Sequence, residues 1–103
     1  MEFSQNNNLA NNKFHYEASF FNAFIKRISE TLNLYYLDKK SFDKDIHMFI
    51  SDLQNMSFDY LSDLKQILLN FLKNLFVEDI PYKIIIFEFK KIIKISIEKF
   101  NII

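Results

Sequence analysis

The chain has 103 residues, enough for one domain, with thirteen basic and thirteen acidic side chains for zero formal net charge. It contains no cysteine, which excludes disulfide scaffolds, thiolate metal sites and cysteine nucleophiles. It also contains no glycine, and phosphate-cradling loops, dinucleotide fingerprints and nucleophile elbows all need one where the backbone must approach a ligand or turn sharply.

A single proline leaves few helix breakers, and glycine-dependent hairpin turns are absent. Half the residues are hydrophobic and thirteen are Phe, so material for a core is plentiful. No run of about 18 apolar residues could cross a membrane, and Met1–Asn12 lacks the basic-then-apolar order of a signal peptide. A cytoplasmic location is expected. The zero balance lacks the excess of Lys and Arg usual in proteins that neutralise phosphates, and it removes one barrier to self-association.

Residues 1–12 are polar and Asn-rich and are expected to form a flexible tail, with Asn12 as a candidate helix cap. Residues 13–103 are expected to form a single helical domain. The first helix is predicted from Lys13 to about Tyr36. Phe14, Ala18, Phe21, Phe24, Ile25, Ile28, Leu32 and Tyr35 fall on one face at helical spacing, and His15, Asn22, Lys26, Glu30 and Asn33 fall opposite. The linker 37–40 is short and polar. The second helix is predicted from Ser41, read as its N-cap, with the stripe Phe42, Ile46, Phe49, Leu53 and Met56.

Ser57 is the next candidate cap, with Met56 and Leu61 spaced as a hydrophobic staple. The third helix is predicted over Phe58–Val77, with Leu61, Leu64, Leu68, Phe71 and Leu75 on its main stripe. Ile80-Pro81 marks a boundary, and the fourth helix is predicted from Pro81 to about Asn101. Within residues 84–97, Ile93, Ile95 and Ile97 alternate with Lys94, Ser96 and Glu98, a pattern that also reads as a strand. The helical reading separates Lys83, Lys90, Lys91, Lys94, Glu98 and Asn101 from Ile85, Ile86, Phe89, Ile92, Ile93, Ile97 and Phe100. A lone strand would have no partner, so helix is preferred. The fold class is therefore all-α: a four-helix bundle or an orthogonal helical domain with a flexible N-terminal tail.

No constellation points to catalysis. Asp43 and His47 share a helix face but lack a third metal ligand at a telling spacing. The acids are dispersed on faces that read as solvated, which denies them the contrasting environments of an acid–base pair. The serines are better explained as caps than as nucleophiles. Arg27, the sole arginine, has no histidine five residues later, so the signature of small helical HEPN-type ribonucleases is absent. The expectation is no enzyme, metal, cofactor, small-molecule substrate or membrane partner.

Two binding surfaces stand out. The first helix carries a second stripe of Tyr16, Phe20, Ala23 and Leu34 with Arg27 among them, residue types enriched at interface hot spots. The third adds Phe58, Leu69, Leu72 and Phe76, and is the natural helix to be enclosed. Residues 81–103 carry five lysines and two acids, a local +3, whereas residues 57–80 carry −2, so Lys83, Lys90, Lys91 and Lys94 could meet phosphates. The leading expectation is a non-catalytic protein–protein interaction module, an inhibitor, immunity or anti-defence type protein or a small subunit, that binds a protein partner or itself. The alternative is a nucleic-acid-binding accessory protein using the lysine face.

Overall fold

A computed structural model describes residues 2–77 and 79–100, with side chains described for residues 12–76 and 79–100. Among them lie four helices and no strand: α1 (Glu2–Leu32), α2 (Lys39–Asn55), α3 (Ser62–Val77) and α4 (Tyr82–Phe100). Residues 84–97 are helical throughout, so the alternation of isoleucines there does not make a strand. The expected tail falls, apart from Asn12, on residues outside the described side chains. Asn12 itself lies inside α1 and does not cap it.

The chain is an antiparallel bundle, as the aromatic pairs show. Phe24 meets Phe49 and Tyr35 meets Phe42 at ring-centroid distances of 5.5 and 5.2 Å, so α1 and α2 run in opposite directions. Phe71 stacks on Phe89 at 5.7 Å while Lys99 reaches Asp63 at 3.0 Å, which reverses α4 against α3. Phe21 meets Phe100, and the Tyr35 hydroxyl donates to the Ile80 carbonyl at 2.8 Å, closing α1 against both ends of the α4 segment.

The buried residues follow the 3.6-residue period. Phe14, Ala18, Phe21, Phe24, Ile28 and Leu32 of α1 are buried, with Ile25 and Tyr35 half-buried beside them. Phe42, Ile46, Phe49 and Leu53 fill the α2 face. Leu64, Leu68, Phe71 and Leu75 of α3 are buried together with Leu69 and Leu72 of its second stripe, so α3 is the helix enclosed on two sides. On α4 the buried row is Ile85, Phe89, Ile92 and Ser96. Ser96 is accommodated because its hydroxyl donates to the Ile92 carbonyl at 2.8 Å, one turn back. Ile97, expected inside, is exposed.

The helix starts differ from the sequence expectation for identifiable reasons. α1 ends at Leu32, and residues 33–37 form turns. α2 begins two residues earlier than predicted because Asp38, not Ser41, is its N-cap. The Asp38 carboxylate accepts from the Ser41 N–H at 3.1 Å and from the Ser41 hydroxyl at 2.7 Å. Those two bonds, the hydroxyl first, hold the Asp38 carboxyl below its usual range.

α3 begins four residues later than predicted, and Ser57 does not cap it. Residues 59–61 bend so that three successive N–H groups converge on one carboxylate, that of Glu17 in α1. Asp59, Tyr60 and Leu61 donate to it at 3.0, 2.9 and 3.1 Å. Such a concave row of backbone N–H groups is a ready anion site. Glu17 lies on the buried face of α1, only 3% exposed. Beside it Lys13 pairs with Asp59, an ion pair that raises the Lys13 pKa, and the Tyr60 ring stands edge-on to Phe14. Helical bonding then starts with the Lys65 N–H donating to the Leu61 carbonyl at 3.0 Å.

Replacing Glu17 with Gln removes the charge and turns an amide N–H2 toward backbone donors. Unfolding in urea is expected to show a loss of about 3 kcal/mol with an unchanged slope. A midpoint equal to that of the native chain would refute the role given to Glu17.

The Lys99 hydrogen bond also holds the Asp63 carboxyl below its ordinary range, so the pair contributes above about pH 4 and is lost as pH falls through the lowered value. Lys99→Met is therefore expected to lower the thermal midpoint near neutral pH, by an amount that shrinks as pH falls through the lowered Asp63 value.

Candidate functional site

The described residues hold no cluster of three His, Asp or Glu side chains placed to share a metal ion. His47 stacks on Phe76 with ring centroids 4.2 Å apart, and His15 meets the edge of Phe14. Most of the binding residues named from the sequence lie at the surface of the bundle.

On α1, Tyr16 and Phe20 stand side by side with ring centroids 6.2 Å apart, 68% and 38% exposed. They form one wall of a groove of about 200 Å³ whose other wall is Met56, Ser57 and Phe58. Ala23 and Arg27 continue the same strip of α1 and are exposed. The Arg27 guanidinium lies over the rings of Phe24 and Phe49, 5.7 and 5.1 Å from their centroids. Cation–π contact of this kind holds a long side chain against the surface at reduced conformational freedom. Leu34 is separated from the other four. It lies in the turn beyond the end of α1 and packs against the core.

On α4, Lys83, Lys90, Lys91 and Lys94 are all exposed. Lys91 is engaged: its ammonium pairs with Glu88 at 3.3 Å and lies 4.5 Å from the Phe87 ring centroid. Lys83, Lys90 and Lys94 form no ion pair among the described residues, and helical spacing sets them within about 40° of one another.

The sequence reading did not single out the apolar residues exposed among these charges. Ile84, Phe87, Ile95 and Ile97 are each more than 40% exposed, and Ile67 of α3 is 37% exposed. Ile67, Ile84 and Ile95 rim a groove of about 350 Å³ between α3 and α4, floored by Phe71, Ile85 and Ile92. The signal that could have found them was the row Ile85, Phe89, Ile92, Ser96 with its 4-3-4 spacing. Taking that row as the buried one turns Ile84 and Ile95 outward.

Comparison with known proteins yields no match, whether to a family model, a curated protein or a solved structure.

Proposed function

We propose that the chain is a non-catalytic protein–protein interaction module of the inhibitor, immunity or anti-defence, or small-subunit kind. The observation that carries this reading is the α1 strip: two adjoining aromatic rings along one wall of a groove, continued by Ala23 and by an arginine whose guanidinium lies over the Phe24 and Phe49 rings. Aromatic and arginine side chains supply large contact area for little conformational entropy, and they dominate interface hot spots. The partner that fits presents an apolar side chain to the groove beside Tyr16 and Phe20 and a carboxylate to Arg27.

A second reading, nucleic-acid binding by α4, is favoured by one observation, the exposed row Lys83, Lys90 and Lys94, unbridged among the described residues. The neutral balance of the chain weighs against it.

Phe20→Glu is expected to leave helicity intact by circular dichroism and to lower partner affinity on the order of tenfold or more. Affinity capture from native lysate with both forms checks this: the same partner recovered in equal amount by the variant would sink the α1 reading.

If the second reading holds, labelled RNA or DNA binds with steep salt dependence, and Lys90→Glu with Lys94→Glu weakens binding across all sequences. Anisotropy that stays flat at low salt eliminates it.

A further inference from the structure

The outward wall of the α3–α4 groove is written by four residues of α4: Ile84, Glu88, Lys91 and Ile95. Their spacing is 4-3-4, so at about 100° per residue they lie within about 60° of one another along one straight row. The row has an unusual property. Its order is apolar, acid, base, apolar, and its spacing reads the same from either end.

Two such rows laid antiparallel, with a two-fold axis passing between Phe89 and Lys90, bring Ile84 against Ile95 of the second copy and Glu88 against Lys91 of the second copy. The axis repeats both pairs. No like charges meet within the row. We propose that this face pairs with a second copy of the same chain, as a closed two-fold dimer built on the α3–α4 groove.

The chemistry of the face supports that occupant. A two-fold interface must be self-complementary, because each residue meets its counterpart's partner. An apolar row with a single sign of charge could not satisfy this, whereas this row does so in one register. The four side chains are exposed. The Glu88–Lys91 pair already formed within the helix can be kept, since each carboxylate would lie between its own lysine and the other copy's. Across the groove, Ile67 stands exposed at the rim and adds apolar surface on either side of the axis. The zero net charge of the chain opposes self-association less than a strong balance of either sign would. This surface is separate from the α1 strip, so the two readings stand or fall independently.

The test uses the full chain and sedimentation velocity over a range of concentrations. The native chain is expected to form a dimer. Glu88→Lys and Lys91→Glu, each alone, place like charges opposite one another twice across the axis, and each is expected to raise the dissociation constant about tenfold or more. An equimolar mixture of those two variants is the decisive sample. One chain then carries two lysines and the other two glutamates, and the pair should associate as a heterodimer at native strength or better, although neither variant can form the pair within its own helix.

Ile84→Gln provides a second variant that leaves the charges untouched, and it should also weaken the dimer. Circular dichroism establishes that each variant remains helical. A native chain that stays monomeric at high concentration overturns the proposal. So does a dimer that survives both single reversals, because it then uses another face, and so does a mixture that fails to associate.

Discussion

A carboxylate buried at 3% exposure holds the first and third helices in register. Removing a charge from water costs several kcal/mol unless the charge is well paired. Glu17 meets that condition with three backbone N–H groups and the neighbouring Lys13 ammonium. The donors belong to consecutive residues, so the bend at 59–61 and the carboxylate specify one another. Leu61 enters the core at that point, and every buried position of α3 follows from it by helical spacing.

At the opposite end the seam is aromatic. Tyr35 packs against Tyr36, Phe42 and Tyr82, and its hydroxyl reaches the Ile80 carbonyl just before Pro81. A polar clamp at one end of the bundle and an aromatic clamp at the other hold α1 against the elements that follow it. Between the clamps, packing is left to the phenylalanines and leucines, whose shape complementarity sets a single arrangement but whose attraction has no direction. Directional bonds at the two ends and non-directional packing between them give the bundle its register.

The same register decides what the surface can do. α4 turns Ile85, Phe89 and Ile92 inward, and the adjoining row one residue earlier in sequence, with the same 4-3-4 spacing, faces out beside the α3–α4 groove. α1 buries one face and leaves Tyr16 and Phe20 standing beside the loop that Glu17 holds. The groove there exists because residues 56–58 are kept non-helical and close to α1. The proposed α1 docking surface is thus a by-product of the structural device that fixes α3.

The sequence by itself determined the class and the greater part of the core. Apolar residues recurring every three and four positions leave no choice but helix for α1, α2 and α3, and they name Phe21, Phe42, Leu64 and Leu68 as buried because the period alone puts them on one face. The missing cysteine and glycine ruled out whole classes of chemistry from residue type alone. Tertiary structure decided the rest. It chose helix over strand for residues 84–97, where β-branched alternation and helical spacing compete locally and only packing against α3 settles the matter. It made Asp38 the cap of α2, a role its spacing to Ser41 allowed but did not require. It gave Glu17 its buried place, which periodicity cannot reveal because an acidic residue on an apolar face is accounted for only by donors 42 to 44 residues away. It also separated Leu34 from the aromatic strip, because α1 ends at Leu32 and the helical wheel stops applying beyond it. Local periodicity is a property of one segment, whereas caps, clamps and surface rows depend on what another segment brings to them.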